Sequence, residues 1–188
     1  LEKEEKMTLG RLSLTKQHLF LILLLLLAAF LRFYNVNNNV MFLGDQGRDA
    51  LVVSRIFKDK DPVFIGPMTS IGNMYLGPFY YYFMLPFLWL SYPSPMGPVY
   101  AVIVLSLLTV YLLYRIGKEL FGQKTAWLAT IFFALSANVI IYSRFSWNPN
   151  IAPFFSLLMF YFTYLAWQKS PRYWPLVALM FSVLIQLH

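Results

Sequence analysis

Gly97-Pro98-Val99-Tyr100-Ala101-Val102-Ile103-Val104-Leu105-Ser106-Leu107-Leu108-Thr109-Val110-Tyr111-Leu112-Leu113-Tyr114 contains no ionisable carboxylate, ammonium, guanidinium or imidazole. About 20 predominantly apolar residues in a helix cross the ~30 Å hydrocarbon layer of a bilayer, so this run, with a little more at either end, is a span. The same character recurs outward from it. Residues 19–31 form an apolar run that Leu12, Leu14, Phe33 and Tyr34 extend. Residues 125–142 and 151–168 read as two further spans, the second with Pro153 in its first turn, where a missing N–H costs no intrahelical bond. Residues 74–92 are aromatic and hold Pro78 and Pro86, and Tyr173 opens a last run that still continues at His188. The pattern predicts an all-α fold, a polytopic transmembrane helix bundle.

Composition agrees. Hydrophobic residues make up 59% and charged residues 12%. A soluble domain is about 25% charged, so this chain has too little polar surface to cover a globule in water. The formal charge of +7 would point to nucleic acid in a soluble protein, but here Lys and Arg sit between apolar runs and report topology instead, so no nucleic-acid partner is expected. With no cysteine, disulfide and thiolate chemistry are excluded. The chain opens on Leu1, with Met7 as the expected natural start, and stops within an apolar run, so it reads as the N-terminal part of a longer protein. Arg11 and Lys16 ahead of residues 19–31 also have the form of a signal peptide, a reading that the later spans outweigh.

Charge sets the expected topology. Residues 1–18, with Lys3, Lys6, Arg11 and Lys16, form a basic cytoplasmic N-terminus. If residues 74–92 lie at the interface rather than crossing, the basic loops at Arg115, Lys118 and Lys124 and at Lys169 and Arg172 fall on the same side. The aromatics Tyr75, Tyr80, Tyr81, Tyr82, Trp89 and Tyr92 suit headgroup level. Residues 19–188 then form one transmembrane domain whose first outer loop, about 35–96, carries juxtamembrane helices. The expected location is the plasma membrane, with chemistry at its outer face.

The three spans over residues 97–114, 125–142 and 151–168 are free of ionisable groups, which argues against ion-coupled transport. A transporter or flippase of a lipid-linked substrate, or a non-catalytic scaffold, stays as the rival reading. The acids of the outer loop are Asp45, Asp49, Asp59 and Asp61. The densest feature is Gly44-Asp45-Gln46-Gly47-Arg48-Asp49-Ala50. On a helix Asp45 and Asp49 share a face with Arg48 beside them, although an Asp after Gly at a helix start is also an ordinary N-cap. The two acids are possible oxygen ligands for a divalent metal but do not complete a site, so no cofactor is assigned. Asp59-Lys60-Asp61-Pro62 reads as the turn that ends this helix. The stretch from Gly66 to Pro78 is rich in turn residues and has room to cradle a sugar or phosphate or simply to reverse the chain. In the second outer loop, Arg144 is the lone charge among aromatics, placed either to snorkel or to hold a lipid phosphate.

Taken in order, Gly44-Asp45-Gln46-Gly47-Arg48-Asp49-Ala50, Gly77-Pro78-Phe79-Tyr80-Tyr81-Tyr82, Tyr114-Arg115-Ile116-Gly117-Lys118-Glu119-Leu120-Phe121-Gly122 and Tyr142-Ser143-Arg144-Phe145 resemble the C-type glycosyltransferases of the GT-C fold. Among these, the protein O-mannosyltransferases and the bacterial aminoarabinose transferases are most similar. The acidic motif of that family reads Asp-Glu; here Asp45 matches and Gln46 stands in place of the Glu. The resemblance implies a polyprenyl-phosphate-linked sugar as donor and transfer at the outer face; direct attack by an acceptor hydroxyl on a glycan, lipid or protein would then invert the anomeric configuration. The expected mechanism, read from the residues, has Asp45 as the base, with Arg48, Asp49, Arg144, Tyr80 and Tyr81 binding substrate and the lipid tail lying near residues 80–89.

Overall fold

The computed structural model describes residues 7–9, 12–14, 16–69, 71 and 74–187, the first two stretches by backbone alone. Lys3, Lys6, Arg11 and His188 lie outside the described residues, as do Ser70, Gly72 and Asn73 of the Gly66 to Pro78 stretch. The chain runs through α1 (Lys16–Phe33), α2 (Val36–Asn39), α3 (Gly44–Lys58), α4 (Phe79–Ser91), α5 (Met96–Phe121), α6 (Gln123–Leu135), α7 (Ala137–Tyr142), α8 (Ala152–Gln168) and α9 (Trp174–Leu184). A short antiparallel ribbon, β1 (Met7–Leu9) with β2 (Leu12–Leu14), precedes them. The architecture is a helical membrane bundle, as the apolar runs predict.

Among the described residues, three helical stretches are long and apolar enough to cross a membrane: Lys16–Phe33, Met96–Phe121 and Asn148–Gln168. The exposed side chains include Phe20, Leu23, Phe30, Phe132, Phe160, Trp167 and Phe181. That apolar exterior belongs against lipid, because soluble monomers rarely expose a contiguous apolar patch of such extent.

α5 is the central helix, with α1, α4, α6 and α8 packed on it. Rising along α1 means descending α5: Leu21 clusters with Tyr114, Leu24 and Ala28 with Val110, and Val36 just past α1 with Val99 and Ile103. α1 and α5 are therefore antiparallel. α6 runs beside α1 in the same direction, with Ala126 beside Leu21 and Ala134 beside Ala28. At one end, Lys118 Nζ donates to Gln17 Oε1 at 3.3 Å, and Lys169 pairs with Glu119 at 2.7 Å. Arg115 at the close of α5, Lys124 at the start of α6 and Arg172 after α8 lie toward this same end. The opposite end carries α3 and α4. There α9 returns, and Gln186 Oε1 accepts from the Phe79 N–H at 3.3 Å.

Two expectations change, and a third element is shorter than its apolar run. Arg115 and Lys118 are not in a loop: α5 continues past Tyr114 to Phe121, and Gly122 alone joins it to α6. Gly122 has φ +82°, a left-handed conformation open to glycine. Residues 125–142 are not one helix either. Ser136 adopts an extended backbone (φ −60°, ψ 122°) between α6 and α7, and at this break the Ala134 carbonyl accepts from the Arg32 guanidinium at 3.1 Å. In the stretch 74–92, only Phe79–Ser91 is helical, and its 13 residues reach about 20 Å, short of the ~30 Å apolar layer.

Candidate functional site

α3 starts where Leu43 is extended and its N–H would be orphaned. Gln46 Oε1 accepts that N–H at 2.8 Å. This is the reach-back half of a capping box, the other half being impossible for a leucine side chain. Gln46 is buried in this role. Asp45 is thus not the N-cap expected from its place after Gly44. It lies within the first turn, where the helix dipole favours a carboxylate.

Arg48 sits between the two acids. Its Nη1 donates to Asp45 Oδ1 at 3.0 Å, while Nε and Nη2 donate to Asp49 Oδ1 at 2.9 and 2.8 Å. The acids differ in setting: the Asp45 side chain is 52% exposed and that of Asp49 is 1% exposed. Asp49 Oδ2 is buried with no hydrogen-bond partner within bonding distance among the described residues, the Tyr81 hydroxyl being the nearby polar group. Burial raises the Asp49 pKa above the ordinary carboxylate range, and the hydrogen bond and charge of Arg48 oppose that only in part. For Arg48, burial works against the cation, but the bond to Asp49 and the two carboxylate charges outweigh it and raise its pKa. The Tyr81 hydroxyl lies beside this pair and is itself pushed up, first by burial and then by the Asp49 charge.

Tyr80 is placed differently. It is fully buried, and its hydroxyl shares a 2.8 Å hydrogen bond with Ser146 Oγ. Burial raises its pKa strongly, so it is a neutral phenol joining α4 to the second loop. Arg144 also stands apart from the acids: its Nη2 donates to the Tyr34 carbonyl at 2.7 Å, closing the end of α1. The sequence-predicted residues therefore divide. Asp45, Arg48, Asp49 and Tyr81 form one cluster, and Tyr80 and Arg144 tie neighbouring elements together.

Asp45 and Arg48 open into a cleft of about 320 Å³ whose other walls include Pro67, Thr69, Leu76, Trp147 and Asn148. The wall from residue 66 to 77 is a small hairpin. Gly66 N–H bonds Leu76 O at 2.9 Å, Leu76 N–H bonds Pro67 O at 3.0 Å and Thr69 N–H bonds Met74 O at 2.9 Å. A Cβ on Gly66 would stand 2.1 Å from the Gly77 carbonyl oxygen, so the closure demands glycine. Asn148 is held by its Nδ2, which donates to Leu187 O at 2.6 Å. Behind Trp147 and Pro149, which line both spaces, lies a second cavity of about 430 Å³ among α5, α7 and α8. Trp147, Asn148, Thr69 and Gln186 were not singled out from sequence. For the first three the only signal was the turn chemistry of Trp147-Asn148-Pro149-Asn150 and of the Gly66 to Pro78 stretch, and Gln186 had none.

Among the described residues, no three His, Asp or Glu side chains gather as a metal site. What the cluster offers is an exposed carboxylate beside a guanidinium of fixed orientation. Arginine has five N–H donors; three are spent on the two carboxylates here, and the Tyr81 hydroxyl stands beside the rest on Nη1 and Nη2. Such a pair suits proton removal at one atom and anion stabilisation at the next.

Comparison with known proteins adds one finding. Residues 75–186 match the family described as dolichyl-phosphate-mannose-protein mannosyltransferase. The match takes in Tyr80, Tyr81, Arg144 and the second loop, and begins after α3. No curated protein matches the chain.

Proposed function

The chain belongs to the dolichyl-phosphate-mannose-protein mannosyltransferase family, membrane glycosyltransferases that use polyprenyl-phosphate sugars, and from that premise we propose how its residues serve such a transfer. The observation that carries the reading is the cleft in which the exposed Asp45 carboxylate and the Arg48 guanidinium meet, 3.0 Å apart. The donor is a polyprenyl-phosphate hexose or pentose, and the acceptor presents a hydroxyl from a glycan, lipid or protein.

Asp45 removes the proton from the acceptor hydroxyl as its oxygen attacks the anomeric carbon. The bond from that carbon to the phosphate oxygen breaks, and polyprenyl phosphate leaves with the electron pair. Direct attack inverts the anomeric configuration, by the one-step logic of inverting sugar transfer. The spare Nη N–H groups of Arg48 meet the phosphate as its charge grows, which is where fixed donors contribute most. Asp49, buried below, holds Arg48 in that orientation. The lipid chain has apolar room behind Trp147, and the exposed Trp89 and Leu90 of α4 meet the bilayer.

We orient the bundle with its Lys118, Lys169 and Arg172 end in the cytoplasm, by the positive-inside rule, and with the cleft at the outer face. α4, too short to cross, then lies at that outer surface with α3.

The test supplies a panel of radiolabelled polyprenyl-phosphate sugars to the intact protein in membranes, wild type beside Asp45→Asn, and follows release of sugar from the lipid. The expected result is release by wild type alone, with both proteins present in equal amount. Full activity in Asp45→Asn removes Asp45 from the mechanism.

A further inference from the structure

A groove of about 830 Å³ opens at the other end of the bundle, far from the cleft, where α1 and α8 both pack on α5 and leave a channel between them. Its deeper walls are apolar and aromatic, with Leu21 from α1, Tyr111 from α5, and Leu158 and Phe162 from α8. Its mouth is cationic. Arg115 and Lys118 stand one turn apart on α5 and both line it. Glu119 is the one acid on this wall among the described residues, and its two oxygens are already engaged, Oε1 by Lys169 Nζ and Oε2 by the Tyr161 hydroxyl, each at 2.7 Å. Arg115 makes no hydrogen bond or ion pair among the described residues.

From this geometry we propose that the groove binds an anionic phospholipid of the adjacent leaflet, its phosphate at Arg115 and Lys118 and one acyl chain along Tyr111, Leu158 and Phe162. An apolar channel inside the hydrocarbon layer with cations at headgroup level complements such a lipid at both ends. Basic pockets between transmembrane helices are a recurring form of headgroup recognition. A free phosphate would leave the apolar walls unused. A zwitterionic lipid would set its own cation against the two on the rim. The inference does not depend on sugar transfer, since neither the groove nor its residues touch the cleft.

The test is native mass spectrometry of the intact protein in mild detergent, titrated with phosphatidylglycerol or phosphatidylethanolamine. Wild type retains phosphatidylglycerol preferentially. The double variant Arg115→Gln with Lys118→Gln loses that preference by roughly tenfold while its phosphatidylethanolamine retention stays the same. The charge-conserving variant Arg115→Lys with Lys118→Arg keeps the preference, which separates lost charge from lost fold. Equal retention of the two lipids by wild type overturns the proposal. So does an undiminished preference in the double glutamine variant, or displacement of phosphatidylglycerol by inorganic phosphate.

Discussion

Arg32 Nη1 donates to the carbonyl of Ala134 at 3.1 Å, joining two helices that lie 102 residues apart in sequence. The same guanidinium donates from Nε to Ser106 Oγ at 3.0 Å and from Nη1 to Ala28 O at 3.1 Å. Arg32 is wholly buried, and Nη2 has no hydrogen-bond partner among the described residues. It thus provides the C-terminal cap that α6 lacks in its own sequence, since a cation is favoured where helix carbonyls are left open. α1, α5 and α6 are fixed together at one point, and α7 starts afresh from Ser136 toward the cleft.

Arg32→Met should lower the stability of the protein by about 2 kcal/mol, because the Ala134 carbonyl and Ser106 lose their partner inside the bundle. Arg32→Lys should rescue little of this, since one ammonium cannot reproduce the planar fork that reaches α5 and α6 together. Thermal unfolding followed by size-exclusion fluorescence in detergent reads both variants. A melting temperature equal to wild type in Arg32→Met would show that the break at Ser136 stands without it.

The Gly66 hairpin gives a test of the cleft wall. Gly66→Ala places a methyl group 2.1 Å from the Gly77 carbonyl oxygen, which only movement of the backbone can relieve. The wall carrying Pro67 and Thr69 should then shift, raising the KM for the donor at least about tenfold, as displacement by an ångström does at a preorganised site. The melting temperature should change little, because the hairpin sits outside the core formed by Val53, Tyr80 and Met84. Unchanged steady-state kinetics in this variant would exclude the hairpin from donor binding.

Asp49 predicts a pH dependence. Its pKa is raised, first by burial, so on acidification it takes up a proton before an ordinary aspartate does. In linkage terms its contribution to stability is present below the unfolded pKa and is lost as pH rises through the raised folded value. For activity the sign is opposite: protonated Asp49 no longer holds Arg48 as a counter-charge. The kcat/KM for the donor should fall on the acid side, beginning above the usual carboxylate range. In Asp49→Asn it should start low and lose that limb. Superimposable acid limbs in the two proteins would count against the holding role.

Gln46 separates capping from chemistry. Gln46→Glu keeps an oxygen for the Leu43 N–H and should leave stability within about 0.5 kcal/mol, whereas Gln46→Ala should cost about 1 kcal/mol through loss of the cap. Donor release by Gln46→Glu should stay within a few-fold of wild type. Collapse of activity in Gln46→Glu with the fold intact would assign the amide a direct role in transfer.

The bundle was largely legible in the chain because each span is a local property. Residues 19–31, 97–114 and 151–168 announce themselves by apolar length, and the structure only moves their ends. What was hidden depends on distant partners. Nothing in residues 125–142 marks Ser136 as a break, and the group that meets the open end of α6 there, Arg32, lies on another helix. The continuation of α5 through Arg115 and Lys118 was masked by their charge, though both are sound helix formers. At the cleft, the spacing of Asp45, Arg48 and Asp49 brought the three side chains onto one face as expected. Which acid is exposed and which is sealed was not readable, since Tyr81 and α4 decide that from outside the motif. The adjacent tyrosines likewise look alike in sequence, yet Tyr80 faces Ser146 and Tyr81 faces the ion pair.

Gly122 is the whole connection between α5 and α6. A link one residue long has no slack with which to let one helix shift along the other. α5 and α6 therefore behave as one antiparallel hairpin, in which a tilt of either helix has to be shared by the other.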